Sequence, residues 1–270
     1  MDLLTVTCHQ DKIQILLQAE SVQKFLKPCK HWVIINDPSV CLEQWHELLS
    51  PYYENHQLIL VDSSTIKSDF KSEKGGWSRQ QYFKFAAYNL INDDYLILDS
   101  KNFFIKPTDI NEWNTVIGNG TIANFKSNAS WEETIVAYSK HLNIPVNFNQ
   151  LSIVTPFVFQ KKILDLIENY QEFLNWFVSQ NVIESEFFYY SMLLHKQDIF
   201  PQSSQQPKFH LLTQTYGFEI FDLCKLFFDK DNIKVAGIHR SMLNKFNNEE
   251  QQSFDKWLAS KGLQLRHLAK

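Results

Sequence analysis

The chain has 270 residues, enough to bury a core without disulfide staples, and its 44% hydrophobic against 21% charged residues exclude a disordered chain. Its 26 Lys plus Arg against 30 Asp plus Glu give a net charge of −4, which argues against a generic nucleic-acid binder. Seven glycines exclude Gly-rich and collagen-like classes, and an aromatic share of 14% supplies large side chains, mostly for a core.

The first hundred residues alternate between strands and helices. A β-branched apolar run predicts a strand over 3–8, and Ile15, Ala19, Val22 and Leu26 recur at helical spacing until Pro28. Strands follow over 31–36 and 58–61, with a short helix over 40–49 between them. Residues 65–76 read as a polar loop, 77–91 as a helix and 95–98 as a strand that ends in Asp99. Repeated βα units imply a mostly parallel sheet covered by helices on both faces, and such sheets place ligands outside the carboxyl ends of their strands. Those ends carry His9, Asp11, Asn36, Asp37, Asp62, Ser63 and Asp99.

After Pro107 the pattern changes. Strands are expected over 115–117, 121–124, 154–159 and 233–238, and helices over 161–179, 181–194 and 248–261, the last stopping at Gly262. Residues 195–214 read as less regular. With no internal repeat and no Pro/Ser/Gly-rich linker, one domain is expected.

The opening residues lack a basic region and a long apolar run, and no stretch approaches the ~18 apolar residues of a membrane span. The expectation is therefore a cytoplasmic protein without a transmembrane segment. Cys8, Cys29, Cys41 and Cys224 show no CxxC spacing and read as free thiols. The sequons at Asn119 and Asn128 read as chance. His46-Glu47 lacks the second histidine of a zinc-protease motif. Gly118-Asn119-Gly120 fits a loose dinucleotide-binding pattern but is followed by β-branched residues, and Asp229-Lys230-Asp231 sits in a polar turn.

The segment 75–107 carries the most information. Ser78 and Gln81 have capping-box spacing, which starts a helix at about Arg79. Phe83, Ala86, Ala87 and Leu90 form its inward stripe, and Arg79 falls on that stripe at the helix N-terminus. A cation there lies over the strand ends, where a phosphate also meets the helix dipole; the alternative is a salt bridge to a nearby carboxylate. Lys84 sits on the flank of the stripe, with a solvated lysine as its alternative.

This segment, Gly76-Trp77-Ser78-Arg79-Gln80-Gln81, then Lys84, then an apolar strand into Leu98-Asp99-Ser100, resembles glycosyltransferases of the GT-A fold. It is most similar to a poorly characterised bacterial and phage family, and distantly to glycogenin-like transferases. Thr155-Pro156-Phe157, Glu184-Ser185-Glu186 and Gly237-Ile238-His239-Arg240 resemble later segments of that family, in order, so the resemblance covers most of the chain.

The resemblance implies transfer of a sugar from a nucleotide-diphosphate donor to a glycan or lipid-linked acceptor, on a single GT-A-like α/β domain. Residues 1–106 would form the nucleotide-sugar half, 107–245 the acceptor half and 246–270 a C-terminal helix. Many such enzymes hold Mn²⁺ or Mg²⁺ on a DxD pair. Here the motif reads Asp99-Ser100-Lys101, so a cation replaces the second carboxylate. Lys101, with Arg79, Lys84, His239 or Arg240, would then carry diphosphate charge directly. Asn36 and Asp62 complete the donor-binding candidates, Asp99 with His239 is the candidate metal pair, and Asp99, Lys84 and Glu186 are the catalytic candidates. Glu186 or Glu184 would deprotonate the acceptor hydroxyl, although acidic residues in a first helical turn also simply favour the dipole. Two other readings stand beside this one: an inactive nucleotide-sugar or glycan-binding protein on the same fold, and another phosphoryl- or nucleotidyl-transfer enzyme acting through Asp99. Lys261, Arg266 and Lys270 make the C-terminus mildly basic, which leaves a membrane-surface acceptor open.

Overall fold

Six hydrogen-bonding residues, Asp2–Thr7, form the central strand β1 and place the rest of the domain around it. The computed structural model describes residues 1–37, 41–66, 75–113, 129–145, 155–199, 208–212 and 233–264. After β1 come α1 (Lys12–Phe25), β2 (Lys30–Ile35), α2 (Leu42–Leu49), β3 (Gln57–Asp62), α3 (Gly76–Ala86), β4 (Tyr95–Asp99) and β5 (Asn102–Phe104). The second half contributes α4 (Ala129–Leu142), β6 (Phe157–Phe159), α5 (Lys161–Leu164), α6 (Tyr170–Ser179), α7 (Glu186–Lys196), β7 (Lys208–Leu212) and β8 (Ile233–Ile238). A short helix, Arg240–Leu243, and a terminal helix, Asn248–Ser260, follow.

The main sheet has the order β3-β2-β1-β4-β6, parallel except for β6, which runs antiparallel to β4. This is the mostly parallel α/β sheet that the alternating elements imply. A second sheet, β5-β8-β7, stands beside it, with β5 antiparallel and β7 parallel to β8.

Side chains alternate across the pleat. Leu4, Val6, Ile34 and Ile97 face a core shared with α3, α6 and α7, while Leu3, Val33, Ile35 and Leu98 face Ile15, Ala19 and Val22 of α1 and Trp45 of α2. The aromatic surplus fills the first of these cores: Phe85 stacks on Phe159 at 5.0 Å and meets Phe173, Phe177 and Tyr189 edge-on. The terminal helix ends as its glycine implies. Gly262 has φ +68°, and the amides of Gly262 and Leu263 return to the carbonyls of Ala259 and Leu258.

Several expectations change. The helix read over 161–179 is two helices, because Asn169 takes a left-handed conformation (φ 41°) and its side chain caps α6. The helix read from 181 starts at Glu186, capped by Ser185. Strand β5 was not expected, and β7 falls in the stretch read as irregular. The Ser78–Gln81 capping box does not form: α3 starts at Gly76, and Ser78 Oγ donates instead to Glu184 Oε2 at 2.7 Å. The expected strands over 115–117 and 121–124, both sequons, Gly118-Asn119-Gly120, Asp229-Lys230-Asp231, Cys224, Arg266 and Lys270 lie outside the described residues. Among the described residues, no helix is long and apolar enough to cross a membrane.

A polar chain runs through the α1 side of the sheet. The Tyr53 hydroxyl lies 2.7 Å from His31 Nδ1, and His31 Nε2 lies 3.0 Å from Thr5 Oγ1, which donates to Gln18 Oε1 at 2.7 Å. A neutral imidazole with its proton on Nε2 satisfies all three contacts. Burial, reinforced by His56, pushes the His31 pKa down to about 3. Between the unfolded value near 6.5 and that folded value, the unfolded chain binds a proton that the folded chain does not. This group therefore withdraws about 1.4 kcal/mol of stability per pH unit as pH falls through that window. In urea titrations at pH 7 and pH 5, His31→Gln should show a shallower loss of stability than the parent. An unchanged slope would mean that the folded protein protonates His31 freely.

Candidate active site

Parallel strands that end together leave an opening at their carboxyl ends. Here a cleft of about 820 Å³ opens beyond β1, β2 and β4 and is roofed by the first turn of α3 and by the segment after β8. Asn36, Arg79, Asp99, Lys101, His239 and Arg240 all line it, so residues up to 204 positions apart in the chain converge there. Asp62, Lys84 and Glu186 do not line it.

The floor of the cleft is the turn between β4 and β5. The Asp99 amide donates to Asn102 Oδ1 at 2.9 Å, and Gln18 Nε2 donates to the carbonyls of Asp99 and Asn102, both at 2.8 Å. Gln18 is the far end of the His31–Thr5 chain, so the interior polar network holds this turn. The turn directs the Asp99 carboxylate between two ammonium groups. Lys84 Nζ lies 2.8 Å from Oδ1 and Lys101 Nζ 2.7 Å from Oδ2. Burial alone would raise the Asp99 pKa, but Lys101 and then Lys84 hold it well below the usual carboxylate range.

Lys84 is neither solvated nor part of the cleft wall. It is 1% exposed, and it bridges Asp99 to Glu186 Oε1 at 2.7 Å, with the Phe187 ring 4.9 Å away. Burial would lower its pKa, but the two carboxylates outweigh that and raise it. Glu186 is 0% exposed, and burial pushes its pKa up against the opposing pull of Lys84. The Gln81 amide also faces this carboxylate; with its nitrogen turned toward it, it donates to Oε1 at 2.7 Å. Neither Lys84 nor Glu186 reaches the cleft surface, so a donor contact by Lys84 and proton removal from an acceptor by Glu186 do not match these positions. Glu184 is likewise buried and tied to Ser78. Asp62 lies at the end of β3, the edge strand, and its Oδ1 accepts from the Ser64 amide at 2.7 Å.

On the opposite wall, Arg240 Nη1 pairs with Asp11 Oδ1 at 3.0 Å, and Ser100 Oγ donates to Asp11 Oδ2 at 3.0 Å. His239 Nδ1 lies 2.7 Å from Ser241 Oγ; burial, then Lys101 and Arg240, lower the His239 pKa and favour the neutral ring. Among the described residues, the Arg79 guanidinium has no ion-pair partner. Two buried oxygens of cleft residues also lack a partner there: Thr7 Oγ1 and Asn36 Oδ1. Sequence reasoning missed Thr7, whose signal was a polar residue closing an apolar strand, and Trp77, which lines the mouth with its indole N–H donating to the Glu184 carbonyl at 3.0 Å.

A divalent cation fits this donor set poorly. Such ions take several oxygen ligands, whereas both oxygens of Asp99 already receive ammonium groups. Among the described residues, no three His, Cys, Asp or Glu side chains gather where they could share a metal.

The fold is that of an α/β domain of the GT-A type, and solved structures share it. The chain superimposes on the apo structure of WbbM, a bifunctional glycosyltransferase, with TM-score 0.54 and 12% identity over 96% of this chain and 49% of that one. This chain thus spans about half the length of WbbM. The apo form of mouse xyloside xylosyltransferase 1 gives TM-score 0.51 and 9% identity over 87% and 96% of the two chains. An active-site mutant of LgtC gives 0.53 and 12% over 100% and 98%. No curated protein matches the sequence. Residues 7–218 match the model of DUF6492, a family of unknown function, and the chain belongs to that family.

Removing one member of a buried ion pair leaves a charge without an answer, at about 3–5 kcal/mol. Lys84→Met should lose stability of that order in urea unfolding, and adding Glu186→Gln should restore part of it. A loss below about 1 kcal/mol would contradict a buried ammonium shared by two carboxylates.

Proposed function

We propose that this protein moves a sugar from a nucleotide-diphosphate donor to a glycan or lipid-linked acceptor, with the donor in the cleft. One observation carries the reading: the cleft combines cationic side chains with buried neutral oxygens that lack partners among the described residues. Arg79, Lys101 and Arg240 suit a diphosphate, and Thr7 Oγ1 and Asn36 Oδ1 suit the hydroxyl and N–H groups of a nucleoside or sugar. The shared fold with WbbM, mouse xyloside xylosyltransferase 1 and LgtC supports it.

In this reading the chemistry is stabilisation of a leaving group. As the bond from sugar to diphosphate breaks, negative charge grows on the diphosphate. Arg79 and the first turn of α3 meet that charge on one side, and Arg240 on the other. Arg240 is held by Asp11 and needs no reorganisation at the moment of transfer. Asp99 anchors the floor. Lys84 and Glu186 act through Asp99 as positioning residues.

A non-catalytic donor-binding protein is the second reading, favoured by the full ion pairing of Asp99. Thermal shift with UDP, GDP, ADP and CMP and their sugars, followed by assay of nucleoside diphosphate release, separates the readings. One nucleotide sugar at 100 times its Kd should stabilise the protein by about 2.7 kcal/mol. Arg79→Ala should weaken that binding about tenfold or more, as for a lost hydrogen bond to a charged group. Binding without release, with glycan and lipid-linked acceptors supplied, would favour the second reading. No stabilisation by any nucleotide would overturn both.

A further inference from the structure

Resting on the donor reading above, we infer that the Lys101 ammonium occupies the role of a divalent cation, so that the donor diphosphate binds to this cleft without metal. Asp99 is the carboxylate to which a metal would have to bind, and its two oxygens are held at 2.8 Å by Lys84 and at 2.7 Å by Lys101. An incoming Mn²⁺ or Mg²⁺ would have to displace one of these ammonium groups and then sit beside the other. Lys84 cannot leave, because it is buried and shared with Glu186.

Lys101 differs from Lys84 in being both fixed and accessible. Its carbonyl accepts from the Ile238 amide at 3.0 Å, its neighbour Asn102 opens β5, and its ammonium rests on Asp99. Yet its side chain is 22% exposed, and it lines the cleft. An ammonium group has three donors. Among the described residues one is used on Asp99, which leaves two for phosphate oxygens.

Charge gives the same answer. Two carboxylates holding a divalent ion sum to zero, and so do Asp99 and Lys101. The floor therefore keeps the charge of a metal-loaded site without an ion. Arg79 and Arg240 stand on the walls above it and add the positive charge that a diphosphate needs. The competing explanation is that Lys101 merely closes a salt bridge on Asp99 and takes no part in binding.

Isothermal titration with UDP, GDP, ADP and CDP decides between them. Each is run in EDTA and again in Mn²⁺, on the full chain and on Lys101→Met and Lys101→Asp variants whose melting curves show them folded. The nucleotide that binds the parent should do so with a Kd that differs less than about twofold between EDTA and Mn²⁺, since no metal joins the complex. Lys101→Met should weaken binding at least about tenfold in both buffers, as expected on losing a charge-assisted contact. Lys101→Asp, which places a second carboxylate two residues after Asp99, should lose binding in EDTA and recover it with Mn²⁺. The same variant should quench the Mn²⁺ spin-resonance signal, which the parent leaves unchanged. Parent binding that requires Mn²⁺ would overturn the inference and leave the donor reading standing. Lys101→Met binding as tightly as the parent in EDTA would also overturn it, assigning Lys101 to the salt bridge alone. Failure of every nucleotide to bind the parent, with or without Mn²⁺, would remove the donor reading and this inference together.

Discussion

An ammonium group sealed inside a protein must have its charge met at once, and Lys84 sets that requirement for this domain. Meeting it takes one carboxylate from the end of β4 and another from the start of α7. The two ends are therefore fixed relative to α3, which carries the lysine. The demand spreads further. Glu186 opens a helix capped by Ser185, whose amide donates to the Tyr138 hydroxyl of α4 at 3.0 Å. A single buried cation thus sets the positions of α3, α4, α7 and β4. Asp99 is the point where this interior constraint reaches the cleft: its inner oxygen answers Lys84, and its outer oxygen orients Lys101.

The cleft is assembled from both sides of the sheet. From the α1 side, the chain His31–Thr5–Gln18 ends on the two carbonyls of the turn that presents Asp99. From the second sheet, the pairing of Asn102 with Gly237 carries the chain to His239 and Arg240 directly above that turn. Arg240 then locks onto Asp11, which follows β1. A short three-residue strand, β5, is what converts two separate sheets into one site. Polar interior groups do this positioning because their hydrogen bonds have direction, which apolar packing lacks.

How much of this could be read from the sequence depended on whether a local rule matched the surroundings. The βα alternation was legible because strand and helix periods differ and because strand ends carried Asn36, Asp62 and Asp99. Arg79 was legible from helical phase alone. Lys84 was not, because a single inward stripe assumes a helix covered on one side. Helix α3 is packed by β1, α6 and α7 together, and Gln81 to Ala86 are all buried. The strand-end rule treated all strands alike and so included Asp62, but β3 is an edge strand and its end turns away into a local cap. Strand β5 is too short for periodicity to register. Ser78 and Gln81 had capping-box spacing, but Glu184 and Glu186, more than a hundred residues later, compete for them. The resemblance to GT-A transferases brought in His239 and Arg240, which no local pattern singles out.

The contact between Arg240 and Asp11 spans 229 residues, and that between Lys24 and the Gly262 carbonyl spans 238. Both join the beginning of the described chain to its last elements, and this shapes how the protein is made. During synthesis α1 and β5 emerge long before β8 and the terminal helix that pack on them. Until then Leu17, Phe103 and Ile105, which end up buried against Ile238, Phe254 and Trp257, have nothing to pack on. Contacts of such sequence separation slow folding, and the open edge of β5 is the surface through which a half-made chain would associate with others. The cleft is thus a late product of biosynthesis: a nascent chain has the floor of the site early but acquires its far wall only when residue 240 has left the ribosome and folded back.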